Sequence, residues 1–274
     1  MNKPVRRLRI PGKGKETLMA WLIMLPGIIL FAFFLWGPLL ESMRMSLYST
    51  RNVELVEFVW FDNFISVFNK ADFIQALINT FSYTFWSLLI GFFLPIFIAL
   101  LIGETARSKG FFRTAAYIPN ILPGLAVIIL WTAFFSAEKS GVVNILLGKL
   151  GIAPMAYLSH SGYVIPIIIL VALDGAGIFK RIRHITFPAI FNLGSTLLIL
   201  QIISIFQIMY EPMVLTRGGP DNASLSLMLL MWRYAFGGSM DFGKASAVAV
   251  IITLILLVFT AVYFVVNRRK TEWE

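Results

Sequence analysis

Long stretches of this chain run for more than twenty residues without a charged side chain, among them Thr17 to Leu40, Ala76 to Gly103, Ala115 to Phe135, Ile185 to Tyr210 and Ala245 to Val266. A helix needs about 20 apolar residues to cross a hydrocarbon core of about 30 Å. Inside that core every backbone N–H and C=O must be satisfied within the segment, which leaves only helices and closed barrels. A barrel is built from short alternating segments, and none is present. The 58% hydrophobic content fits the same conclusion. The expected fold class is all-α, a polytopic transmembrane helical bundle.

Charge gives the expected topology. The net charge is +9. The basic residues gather at four places: Lys3 to Lys15, Arg107 to Arg113, Lys180 to His184, and Arg268 to Lys270. Between them lie loops of mixed charge, 41–75, 136–160 and 211–244. Basic loops mark the cytoplasmic side. Both termini are therefore expected inside, with 1–16 as a basic cytoplasmic N-terminus and 268–274 as a cytoplasmic tail. The apolar run behind the N-terminus is too long for a cleavable signal peptide and reads as a retained first span. No nucleic-acid motif accompanies the positive charge, so lipid and not nucleic acid is the expected contact. With no cysteine, disulfides and thiolate metal sites are excluded. His160 and His184 fall in loops on opposite sides, so no shared metal site is expected. No G-x-x-x-x-G-K-[ST] phosphate loop and no nucleophile–base pair is present, so the chain is expected not to be an enzyme.

The alternation of sides requires one more crossing between His160 and Lys180. Only Gly162 to Leu173 is uncharged there. Twelve helical residues rise about 18 Å, well under the hydrocarbon thickness. Extending the helix to Phe179 draws Asp174 towards the membrane, which is costly. The bundle thus has about six spans, at 17–40, 76–103, 115–135, 162–173, 185–210 and 245–266, with the fourth truncated.

The one basic passage in the second half of the chain follows that short span. Asp174, Gly175, Ala176 and Gly177 open it with small residues, and Ile178, Phe179, Ile182 and Ile185 recur at helical spacing opposite Lys180, Arg181, Arg183 and His184. Pro188 stands just inside the next span. In its second half the passage resembles the cytoplasmic signature loop of permeases from binding-protein-dependent ABC importers, E-A-A, three residues, G, nine residues, I-x-L-P. Gly175 is followed by nine residues and then Ile185-Thr186-Phe187-Pro188, and Asp174-Gly175-Ala176 matches the D-G-A of sugar importers. Where E-A-A is expected, the chain has Ile169-Leu170-Val171. An internal deletion joining the start of span four to Asp174 accounts for both the short span and the half signature.

Further blocks carry the resemblance. Trp60-Phe61-Asp62-Asn63-Phe64, then Phe73, Ala76, Leu77, Asn79 and Thr80, is similar to G-L-D-N-F…F…A-L-x-N-T, with Trp60 and Phe61 in place of Gly and Leu. Pro119, Pro123, Trp131 and Phe134 follow P-x-x-x-P…W…F. Gly141, Asn144, Leu146-Leu147 and Leu150-Gly151 follow G-x-x-N-x-L-L-x-x-L-G. Leu215-Thr216-Arg217-Gly218-Gly219-Pro220, then Tyr234, Phe236 and Gly243-Lys244-Ala245-Ser246-Ala247, follow L-T-x-G-G-P…Y-x-x-A-F…G-x-A-S-A.

The resemblance implies a type I ABC importer permease that moves a sugar or oligosaccharide across a bacterial cytoplasmic membrane. It implies a heterodimer with a second permease, two ATPase subunits and an extracytoplasmic solute-binding protein. ATP and Mg²⁺ belong to the ATPases, and this chain holds no cofactor. The loop 174–188 is the implied ATPase-coupling element, with Asp174, Gly175, Ala176, Gly177, Phe179, Ile185 and Pro188 as its residues. Gly218, Gly219 and Pro220 form a turn in an outer loop near the path. Asn192, Ser195, Thr196 and Gln201 either line a route for a neutral polyhydroxylated solute or hydrogen-bond across helices. Pro119 and Pro123 kink span three, with or without a gating role. The rival readings are an ion-coupled secondary transporter, disfavoured by the lack of ionisable residues well inside a full span, and an internally deleted, non-functional permease.

Overall fold

The computed structural model describes residues 13–104, 124–138, 140–175 and 187–271. The first helix, α1 (Lys13–Phe31), passes through one wide turn (Ala32–Trp36) into α2 (Gly37–Met45). Pro38 explains the wide turn. Its ring crowds the carbonyl four residues earlier and it has no N–H to give. The ladder instead steps to Gly37 N–H donating to the Ala32 carbonyl, five residues back. Every described side chain of α1 is exposed.

A two-stranded antiparallel hairpin follows, β1 (Tyr48–Arg51) and β2 (Glu54–Phe58), in register Tyr48↔Phe58 with a bulge after Ser49. It is a small departure from an all-helical chain. Asn52, at φ 57°, takes the tight turn. Short α3 (Asp62–Phe68) leads into α4 (Ala71–Glu104). Then come α5 (Gly124–Phe134), α6 (Val142–Gly148), a single tight turn (Tyr157–Ser159), α7 (Ser161–Gly175), α8 (Phe187–Phe206), α9 (Tyr210–Leu215), α10 (Leu227–Phe236) and α11 (Phe242–Thr271). Among the described residues, four helical segments are long and apolar enough to cross a membrane: Thr17–Met45, Ala71–Gly91, Thr196–Leu215 and Phe242–Asn267. Gly124–Phe134, Ser161–Ala172 and Leu227–Phe236 are apolar but shorter.

Two helices organise the rest. α4 packs against α7, α8 and α10, and α11 packs against α2, α3, α8 and α10. At the hairpin end of the bundle, Val67, Phe73, Leu227, Leu230, Val248 and Ile252 share one core. Deeper in, Tyr83 from α4 meets Val164, Ile165 and Ile168 from α7 and Ile205 from α8. Ile128 and Phe135 close on Val171 in a third cluster.

Asn63 ties the hairpin to this frame. Its Nδ2 donates to the Ser46 and Tyr48 carbonyls at 2.9 and 2.8 Å. Gly243 sits directly against it. A Cβ there would meet the Tyr48 carbonyl at 2.5 Å and the Asn63 amide at 2.9 Å. The asparagine of one sequence block and the first glycine of another, 180 positions apart, are therefore one contact.

Candidate functional site

The loop from Thr216 to Ser226 lies across the start of α4 and is held there by a row of polar side chains. Gln75, Asn79 and Tyr83 recur every four residues and so stack on one face of the helix. Asn79 Nδ2 donates to the carbonyls of Asn222 (2.7 Å) and Leu225 (3.0 Å). Tyr83 Oη donates to the Ser224 carbonyl at 2.9 Å. Thr80 Oγ1 donates to the Ala76 carbonyl and accepts the Leu227 N–H at 3.0 Å. Gln75 Nε2 donates to Asn79 Oδ1 at 2.9 Å and orients it. Asn79, Thr80 and Tyr83 are all buried. Buried amides and hydroxyls of this kind are costly unless paired, and each is paired here.

Arg233, on α10, braces the loop from the other side. Its Nη2 donates to the Arg217 carbonyl at 2.6 Å and its Nη1 to Asn222 Oδ1 at 2.9 Å. Asn222 Nδ2 in turn donates to Asp72 Oδ1 at 3.0 Å. Asn222 thus links α4 to α10. Gly218 makes this possible. It adopts φ +83°, and a Cβ on it would meet Arg233 Nη2 at 2.5 Å. Ser226 caps α10 by accepting the Leu229 N–H at 3.1 Å, while its hydroxyl donates to the Ile208 carbonyl at 2.6 Å. Gly218, Gly219 and Pro220, expected as a turn in an outer loop, form this clasped turn.

Beside the loop is an open cleft of about 450 Å³, lined by Gln75, Ser159, His160, Ser161, Pro220, Asp221 and Ala223. His160 Nδ1 accepts the Gly162 N–H at 3.2 Å, which leaves Nε2 on the other side of the ring. An amide, hydroxyls, an imidazole and a carboxylate can hydrogen-bond a hydroxylated solute.

The other expected site residues are scattered. Asp174 and Gly175 form the last turn of α7, and Pro188 is the second residue of α8. Ala176, Gly177, Phe179 and Ile185 lie outside the described residues, as do Pro119, Pro123 and His184. Asn192 and Ser195 lie on α8. Thr196 shares a 2.7 Å hydrogen bond with Tyr263 of α11. Gln201 Nε2 donates to both the carbonyl and the hydroxyl of Ser87 on α4, each at 2.7 Å. Thr196 and Gln201 therefore face different neighbours, and both take part in helix packing. Tyr83, Asn222 and Arg233 were not among the expected site residues. Their signal was present: a polar residue every four positions in an otherwise uncharged span, and a single cation inside the apolar helix Leu227–Phe236.

No protein-family model matches the chain. It is 27% identical to the trehalose/maltose transport system permease protein MalF of Thermococcus litoralis, over 95% of this chain and 97% of that one. It is 23% identical to the arabinooligosaccharides transport system permease protein AraP of Bacillus subtilis, over 88% of this chain and 86% of that one. Among solved structures it is similar to a chain of a bacterial ABC transporter that imports the acidic polysaccharide alginate, with TM-score 0.74, 25% identity, and coverage of 93% of this chain and 96% of the other. A chain of the alginate ABC transporter in complex with its pentasaccharide-bound periplasmic protein superposes with TM-score 0.76 at 23% identity, over 94% of this chain and 96% of that one. Both sequence alignments are longer than the part of this chain they cover: 294 positions against about 260 residues, and 272 against about 241. Each relative thus carries about thirty residues with no counterpart here.

Proposed function

We propose that this chain, whose homologues and structural neighbours are permease subunits of ABC sugar and oligosaccharide importers, is itself the membrane-spanning subunit of such an importer. The observation that carries the reading is likeness from end to end, 95% of this chain against 97% of a trehalose/maltose permease. In this reading the hairpin end, with the clasped loop and its cleft, faces outward to a solute-binding protein. Both termini and the loop 174–188 face the cytoplasm of a bacterial cell. A second permease completes the path, and two ATPase subunits bind and hydrolyse ATP with Mg²⁺. ATPase closure moves the helices as rigid bodies and alternates access to the path. A neutral sugar needs amides, hydroxyls and aromatic faces along its route. The spans offer these, and Asn192, Ser195, Thr196 and Gln201 are the candidates on α8.

The test is uptake of labelled oligosaccharides into proteoliposomes holding this chain, its neighbouring permease and the ATPase. Uptake is expected only with ATP inside and a loaded binding protein outside. Uptake that follows a proton or sodium gradient without ATP would overturn the proposal in favour of a secondary transporter.

A further inference from the structure

The cleft beside the clasped loop is lined by hydrogen-bonding groups that the fold holds in place but does not use. One part of its wall is the turn that opens α7. His160 Nδ1 accepts the Gly162 N–H at 3.2 Å, and its ring lies 4.7 Å from that of Tyr163. An imidazole nitrogen that accepts carries no proton, so in the neutral ring Nε2 is the donor. Ser159 and Ser161, on either side of it in the chain, also line the cleft. Their hydroxyls have no hydrogen-bond partner among the described residues. Gln75 spends its Nε2 on Asn79, which leaves Oε1 as an acceptor. The last contribution is Asp221. It stands at φ 44° and Asn222 at φ 61°, a left-handed pair that Asp and Asn tolerate better than other L residues. Asn222 is fixed by Arg233, Asp72 and Asn79, so its neighbour Asp221 has little freedom. The Asp221 carboxylate has no partner among the described residues. It is the one formal charge among the residues lining the cleft.

We infer that this cleft is a binding site for a neutral saccharide, ahead of the path through the spans, and that Asp221 turns acidic saccharides away. The inference rests on the importer reading above, which places the cleft on the outer face. A sugar hydroxyl both donates and accepts. Asp221 and Gln75 Oε1 accept, the His160 Nε2–H donates, and the two serine hydroxyls do either. An O–H···O⁻ bond to the carboxylate is the strongest of these. A uronic acid would bring a second carboxylate into the same cleft, where the two charges repel. A site that bonds one class and repels another is selective through both effects. The volume of about 450 Å³ suits a small ligand. Because the clasp and the α7 turn set these groups before any solute arrives, little ordering is lost on binding.

Because the chain has no cysteine, the exposed Ser161 can be turned into a reporter. The Ser161→Cys variant, assembled with its second permease and ATPase in nanodiscs without ATP, is labelled with a water-soluble maleimide. The probes are trehalose, maltotriose and arabinotriose as neutral saccharides and tri-galacturonic acid as the acidic one. At least one neutral probe is expected to slow labelling about tenfold at saturation, as a filled pocket covers most of its wall, and the acidic probe to leave the rate unchanged. Adding Asp221→Asn keeps a residue that tolerates the left-handed turn. It is expected to weaken protection by the neutral probe about tenfold, as a charge-assisted bond becomes an ordinary one, and to let tri-galacturonic acid protect. An unchanged melting temperature shows that this variant is folded. No protection by any neutral probe, or equal protection by neutral and acidic probes without Asp221→Asn, overturns the inference. Protection by the unloaded binding protein while every saccharide fails assigns the cleft to protein docking and overturns it too. ATP-driven uptake without protection leaves the importer reading standing and removes the cleft site. Protection that responds to Asp221→Asn in a transporter without ATP-driven uptake does the reverse.

Discussion

Asn79 and Asn144 are the same residue, buried to the same degree, and both spend their amides on backbone carbonyls. Asn79 reaches the carbonyls of Asn222 and Leu225, more than 140 positions away in sequence. Asn144 donates to the carbonyls of Ser136, Glu138 and Met155 and accepts the Met155 N–H, all within 11 positions. One asparagine fastens a loop to a span. The other folds a connecting segment onto itself. A displacement of α4 pulls on the 216–226 loop through the bonds of Asn79, whereas the bonds of Asn144 stay within the connecting segment. Similar local chemistry thus has two consequences, decided by how far along the chain the partner lies.

The strongest way to break this contrast is Asn79→Leu, which keeps the branched shape and leaves the Asn222 and Leu225 carbonyls without their donor. The expected cost is about 3 kcal/mol, since each unsatisfied buried group costs about 1–3 kcal/mol. It is read as a lowered melting temperature in detergent, together with slower uptake per molecule. Next comes Asn144→Ala. The segment it organises has exposed flanks, so water can reach part of what is lost, and about 2 kcal/mol is expected. Uptake per molecule should hold at its wild-type rate. If Asn144→Ala slows transport as much as Asn79→Leu at matched abundance, the distinction between a fastened and a self-contained segment fails. Gly218→Ala forces an L residue into the left-handed region and pushes on the Arg233 guanidinium. A cost of about 1.5 kcal/mol is expected, and Arg233→Ala in the same chain should remove part of it in a double-mutant cycle. The smallest effect belongs to Thr80→Val, which keeps the shape but removes the acceptor for the Leu227 N–H. About 1 kcal/mol is expected, seen as faster hydrogen exchange of that amide.

The helical bundle was legible because charge-free runs longer than twenty residues leave a chain few alternatives. A helix in the uncharged run after His160 was legible too, and α7 lies there. Other features were hidden for physical reasons. Asn79 was visible as part of a recurring block, but its partners are carbonyls, which every residue owns and no sequence pattern marks. The hairpin at 48–58 was read as an irregular connection, since four- and five-residue strands with mixed charge carry little periodic signal. Gln201 could be read as lining a path or as packing against a helix. Only its neighbour Ser87 distinguishes the two, and the pairing lies 114 positions away. Trp60 shows the converse. It replaces a glycine of the family block, and the structure holds it at φ 51°, where L residues carry a penalty of about 1–2 kcal/mol. Its ring packs edge-on against Phe58 at 4.7 Å, a contact that offsets part of that penalty.

The first helix leaves one last consequence. Among the described residues its rod joins the bundle chiefly where α2 meets α11 and β1, and its described side chains are exposed. None of its described residues belongs to the three cores of the later helices. It is free to enter the bilayer as soon as it leaves the ribosome and to moor the nascent chain there. In an assembled importer, its exposed apolar side chains, from Leu18 to Phe31, are area open to lipid or to a neighbour.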